Sequence, residues 1–131
     1  MGKIKVWVAI EALAAKKEIV EEALKSHVGR IQKERNIEIV KETFQDALKV
    51  EQPPQGVSEA YSQVVEIEFK IDSLRNLLNF VVIYGPSALE ILDPAKLEVS
   101  ASDAQDMLNS ISALIHRYAS MGVGGVVISA K

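Results

Sequence analysis

The chain contains no cysteine. Disulfides, thiolate nucleophiles and thiolate-ligated metals are therefore excluded. A long apolar run is also missing. The longest, Phe80 to Tyr84, falls far short of the roughly 20 residues that span a bilayer. Met1-Gly2-Lys3 leads directly into alternating residues, without the apolar stretch of a secretory leader. These absences point to a soluble, cytoplasmic protein with no membrane partner. Positive charge is not in excess either: 15 basic side chains face 18 acidic ones, a net charge of −3. A protein that grips nucleic acid through phosphates needs a local basic surplus. The densest basic spots are Lys3/Lys5, Lys16/Lys17 and Arg30/Lys33/Arg35, and acidic residues interrupt or flank each of them.

What is present describes an ordinary globular chain. The length of 131 residues, 48% hydrophobic and 25% charged, favours one domain with a real core. From Lys3 to Glu11 residues alternate: Ile4, Val6, Val8 and Ile10 share one face, Lys5, Trp7, Ala9 and Glu11 the other. This predicts a half-buried strand. From Lys16 to Arg35 the period changes. Ile19, Val20, Ala23, Leu24, Val28 and Ile31 form a helical stripe, with Gly29 leaving room for a close neighbour. Ile37 to Phe44 reads as a second strand. Asp46 to Ser62, broken by Pro53-Pro54 and Gly56, reads as a long connection.

Val64 to Ile71 alternates again, with Val65, Ile67, Phe69 and Ile71 on one face and Val64, Glu66, Glu68 and Lys70 on the other. Asp72 or Ser73 can cap a helix whose stripe is Leu74, Leu77, Leu78, Val81 and Val82. Gly85-Pro86 ends it, and Ala88 to Leu92 is a short fourth strand. A last helix runs from about Ser102 to Ser120, with capping-box spacing at Ser102 and Gln105. Its apolar face is Ala104, Met107, Leu108, Ile111, Leu114, Ile115 and Tyr118. No coiled-coil heptad series stands out. The segment from Gly122, with Val126-Val127-Ile128, is either a tail or an edge strand.

The order is strand–helix–strand, twice, then a helix. This predicts an α+β, ferredoxin-like βαββαβ fold: an antiparallel four-stranded sheet with two helices on one face, plus a C-terminal helix. Residues 1–131 form a single domain, with 1–98 as the βαββαβ core and 99–131 as the C-terminal helix and tail. The segment Leu74-Arg75-Asn76-Leu77-Leu78, followed by Tyr84-Gly85-Pro86-Ser87-Ala88-Leu89-Glu90-Ile91-Leu92-Asp93-Pro94-Ala95-Lys96-Leu97, resembles the end of the WCX domain of WYL-type transcriptional regulators. That domain is ferredoxin-like, so the resemblance implies the same fold. No helix-turn-helix or WYL segment accompanies it, and regulation of transcription does not carry over. The whole chain is similar to a small prokaryotic family of stand-alone domains, archaeal in type, which supplies no site residues.

Candidate chemistry is sparse. His27 and His116 are the only histidines. Neither has a ligand-type residue four positions away: Ala23 and Ile31 flank the first, Ser112 and Ser120 the second. Metal or catalytic work needs such a partner, so both read as structural or surface residues. Glu66 and Glu68 share a strand face and could work as paired carboxylates, although with Lys70 they also make the polar side of an amphipathic strand. Glu90 and Asp93 read as turn residues beside Pro94. Gly122-Val-Gly-Gly lacks the Lys-Ser/Thr and helix of a phosphate loop. Trp7 lies on the face opposite Ile4 and Val6. The basic, multi-aromatic strands of ferredoxin-like RNA binders are missing, so Trp7 is expected to be covered by protein, either the last helix or another subunit.

No catalytic, metal or cofactor residue is thus assigned, and no cofactor is expected. The function expected is a non-catalytic interaction or regulatory module, homo-oligomeric, with small-ligand sensing as a further role. The alternative is a small-substrate enzyme whose active site, at a subunit interface, uses Glu66, Glu68, His27 or His116. Nucleic-acid binding ranks last on charge.

Overall fold

A computed structural model describes residues 3–121. The alternating N-terminal segment is strand β1, Ile4–Ala14. Helix α1, Lys17–Gln32, follows, then β2, Ile37–Phe44, β3, Leu48–Lys49, and β4, Tyr61–Ile71. Helix α2, Leu74–Tyr84, leads through Gly85 to β5, Ala88–Asp93, and α3, Ala101–Ser120, comes last. The chain divides into two compact units, Met1–Leu97 and Glu98–Lys131. Among the described residues, no helix is long and apolar enough to cross a membrane.

The first unit is an antiparallel sheet of five strands in the order β2-β4-β1-β5, with β3 also on β4. Register follows hydrophobic phase. Val6 pairs with Phe69 and Val8 with Ile67, so their side chains share a face. That face is fully buried: Val6, Val8, Val65, Ile67, Phe69 and Ile71 have no exposed surface. Val20, Leu24, Val28 and Ile31 cover it from α1, and Leu77, Phe80 and Tyr84 from α2. Phe69, Phe80 and Tyr84 stack in series, with ring centroids 4.8 and 5.0 Å apart. Helix α1 seats on β1, β4 and β2, and α2 on β4. All six residues of β5 are exposed.

The helix ends obey local chemistry. The Ser73 hydroxyl accepts from the Asn76 amide at 3.1 Å, and Gly85 closes α2 in the left-handed conformation at φ 57°. Only glycine takes that conformation without cost.

Several expectations change. The sheet has five strands, not four. After Phe44 the second strand breaks for Gln45–Ala47 and then pairs again as β3, with Leu48 opposite Ser62 and Lys49 opposite Tyr61. Strand β4 correspondingly begins at Tyr61 rather than Val64, so the connection from Asp46 to Ser62 is partly sheet. In β2 the register slips between Ile39 and Lys41. Val40 is a bulge, and beyond it Glu42 and Phe44, not Thr43, fall on the helix side. In α2, Val81 and Val82 are exposed while Phe80 and Tyr84 are buried. The stripe is rotated because the longer aromatic side chains reach the core. Ile19, expected on the stripe of α1, is 52% exposed. A Cβ on Gly29 would meet nothing within 4 Å, so no neighbour requires that glycine. Ser100, not Ser102, caps α3, accepting from the Asp103 amide at 3.1 Å. The segment from Gly122, including Val126-Val127-Ile128, lies outside the described residues.

Candidate functional site

The sheet face away from α1 and α2 carries the polar side of the alternation. Trp7 lies opposite Glu68 on β4 and Glu90 on β5. Its indole N–H donates to Glu66 Oε1 at 3.1 Å, and Gln45 Nε2 donates to Glu66 Oε2 at 2.9 Å. Both oxygens of Glu66 are thus engaged, and the ring is half-buried. A carboxylate held by two donors is a positioned structural group. Glu68 stands across from Lys41, Lys70 across from Glu38 and Lys5, and Asp93 across from Lys5. Three of these cross-strand pairs join opposite charges, and the like pair Lys5 and Lys70 has an acid on each outer side, Asp93 beside Lys5 and Glu38 beside Lys70.

His27 lies on the other side of the sheet. Its Nε2 is 3.0 Å from the Tyr84 carbonyl oxygen, and its ring meets the Tyr84 ring edge-on at 5.4 Å. The Tyr84 hydroxyl donates to Glu34 Oε2 at 2.5 Å. Burial first, then that bond and the Glu34 charge, push the phenol up to about 12, with Arg30 opposing. This cluster ties α1 to the end of α2. The sheet separates it from Glu66 and Glu68, so within one chain those groups do not converge. His116 is exposed on α3. Among the described residues, no three His, Asp or Glu side chains are placed to hold a metal ion.

A different arrangement collects chemistry at the helix-side end of the sheet. Glu18, Glu21, Glu22 and Lys25 follow helical spacing on α1. Together with Phe44 and Gln63 they line a hollow of about 500 Å³. Phe44 ends β2 and Gln63 is the third residue of β4. Gln63 shares the phase of Val65 and Ile67, which drives an amide into a core position, where it is 7% exposed. Its Nε2 donates to the Gln45 carbonyl at 2.9 Å. Its Oε1 is buried with no partner. A second hollow, of about 490 Å³, adjoins the first through Glu18 and includes Tyr61. There the phenol of Tyr61 is raised, chiefly by its hydrogen bond to Glu59.

Sequence reasoning did not single out Gln63, Glu18, Glu21, Glu22 or Phe44. The signal was available for Gln63: extending the Val65/Ile67/Phe69 phase backwards by two residues puts a polar amide among inward-facing positions. Nothing in the spacing of the acids sets them apart from an ordinary helix surface, and only the bulge at Val40 turns Phe44 toward them.

Residues 5–130 match the MJ0538 family. The chain belongs to the MJ0538 family. No curated protein and no solved structure gives a significant match.

Proposed function

We propose that this MJ0538-family chain is a non-catalytic interaction module that works as a homo-oligomer, and that its first unit is ferredoxin-like, with β3 an extension of the second strand. The β2-β4-β1-β5 order, with α1 and α2 on one face, supports the fold, which is also what the WCX resemblance implies. The observation that carries the function is α3. Its 20 residues include none that is buried. Ala104, Leu108, Ile111, Ile115 and Tyr118 recur at four- and three-residue steps. With Met107 and Leu114 beside them they form one broad apolar face of the kind by which one helix packs along another. Leu108 is 67% exposed, and Ile111, Ile115 and Tyr118 are exposed with it.

A second copy of α3, running antiparallel, fits this face. Ala101 then meets Tyr118, Ala104 meets Ile115, and Leu108 meets Ile111, a small residue facing a large one at both ends. The acids Asp103 and Asp106 occupy the N-terminal half, and His116 and Arg117 the C-terminal half. Antiparallel packing sets unlike charges and unlike helix-dipole ends side by side. Burying eight large side chains offers on the order of 10 kcal/mol gross, comparable with the cost of association.

The native chain lacks cysteine, so engineered thiols report cleanly. Light scattering on the full chain at micromolar concentration should give at least twice the monomer mass. A mixture of Ala104→Cys and Ile115→Cys chains should cross-link on oxidation, and Ala104→Cys alone should not. A monomer overturns self-association. A dimer whose Ala104→Cys chains cross-link to each other overturns the antiparallel direction.

A further inference from the structure

Strand β5, Ala88–Asp93, ends the strand order, and among the described residues β1 is its one neighbour. All six of its residues are exposed. Leu89 pairs with Val8 and Ile91 with Val6, so both lie on the helix side of the sheet. Helices α1 and α2 seat on the other strands, and Leu89, Ile91 and Leu92 are left 37%, 36% and 40% exposed. Natural sheet edges are commonly guarded by lysine, proline or a bulge. The opposite edge, β2, has Lys41 and the bulge at Val40. From Ala88 to Ile91 β5 has none of these, and its register slips only beyond Ile91.

We propose that the C-terminal segment of one copy adds as a strand to the outer edge of β5 in its partner. This strand exchange rests on the antiparallel α3 pair proposed above. The ten residues after Met121 are Gly-Val-Gly-Gly-Val-Val-Ile-Ser-Ala-Lys, outside the described residues. Val126, Val127 and Ile128 are of the β-branched type that strands favour. The MJ0538 family match runs through them to residue 130.

Chain connectivity selects the partner's edge. Helix α3 is 20 residues long, which puts Met121 about 30 Å from Ala101 of its own chain. In an antiparallel pair Met121 lies beside the partner's Ala101, eight positions beyond the end of the partner's β5. The segment therefore enters at the C-terminal end of that strand and runs back along it, antiparallel. Gly122 to Gly125 span the approach. Phase then sets the register. Val126 opposite Ile91 and Ile128 opposite Leu89 extend the apolar face of the sheet past β5, with Val127 opposite Glu90 on the other face. Two β5 strands paired with each other fit less well. The register that aligns Leu89 with Ile91 centres on Glu90 and sets two glutamates side by side.

Disulfide trapping in the full chain tests this, because the native chain has no cysteine. Glu90→Cys chains mixed with Val127→Cys chains, one of the two carrying a mass tag, should oxidise to a covalent heterodimer. Glu90→Cys chains alone should not cross-link. Hydrogen exchange gives a second reading. The Val126→Asp/Ile128→Asp double variant should speed exchange of the outward-facing β5 amides by about 10-fold or more, as an edge that has lost its pairing does. Two results, in a protein that scatters light as a dimer, overturn the strand exchange and leave the α3 pair standing: no covalent heterodimer, or β5 exchange unchanged in the double variant. A chain carrying both Glu90→Cys and Val127→Cys that closes on itself as a monomer also overturns it, since the segment would then fill its own edge. A monomeric native protein overturns both proposals. Circular dichroism checks that Glu90→Cys folds; if it does not, the exchange measurement, which alters no residue of the sheet, decides alone.

Discussion

Tyr84→Phe should destabilise the protein at neutral pH by about 1.5–3 kcal/mol, the range for a hydrogen bond to a charged group, and the deficit should vanish in strong alkali. Phenylalanine keeps the ring contacts to Phe80 at 5.0 Å and to His27 at 5.4 Å. What is lost is the hydroxyl that donates to Glu34. The phenol is raised from 10.0 to about 12, so the fold favours its protonated form. Below pH 10.0 both folded and unfolded chains keep the proton, and the contribution is fully present. Between 10.0 and about 12 the unfolded chain releases the proton and the folded chain does not, so stability falls as pH rises. Each unit is worth about 1.4 kcal/mol, and the window therefore removes roughly 2–3 kcal/mol. Burial of the phenol is the largest cause of that shift and the bond to Glu34 the next, so this loss and the cost of deleting the bond are separate quantities of similar size. The assay is urea unfolding followed by circular dichroism, for wild type and variant, at steps from about pH 8 to about pH 12. Every other group is common to the two proteins and cancels in the difference. The gap should stay flat to about pH 10 and close by about pH 12. A gap that persists unchanged in alkali, or is already absent near neutrality, refutes the reasoning.

Other substitutions test the frame around that cluster. Phe69→Ala removes a ring with no exposed surface that stacks on Phe80; it should cost about 3–5 kcal/mol, read as a fall in the urea midpoint without a change in slope. Gly85→Ala should cost about 1–2 kcal/mol through backbone strain alone, because a Cβ there meets nothing within 4 Å at φ +57°; Gly29→Ala, with no such φ, should be neutral or slightly stabilising in the same thermal melt. Ser73→Ala removes the cap on α2 and should cost about 1 kcal/mol, measured by the same urea unfolding.

Legibility followed the clarity of the period. In β1 the buried and half-buried residues alternate from Ile4 to Ile10, as the letters do, and Val65 to Ile71 behaves likewise. Their phase alone fixes which side meets the helices. In α2 the run Leu-Leu-Asn-Phe-Val-Val-Ile-Tyr is apolar almost all round. Several stripes then fit equally well, and packing chose the one with Phe80 and Tyr84. The bulge at Val40 is a phase slip of one residue within eight, too short a stretch to separate from noise. The hollow was illegible for a related reason. It joins a helix face, a strand end and one glutamine whose positions become neighbours only when β2 and β4 pair.

The hydrogen bonds from Trp7 to Glu66, from Gln45 to Glu66 and from Gln63 to Gln45 form one continuous thread through the sheet. One end is the sole tryptophan of the chain; the other is the glutamine on the far side. The molecule therefore carries its own fluorescent gauge: a displacement of Gln63 should disturb the carboxylate beside the indole and shift its emission, with no dye attached.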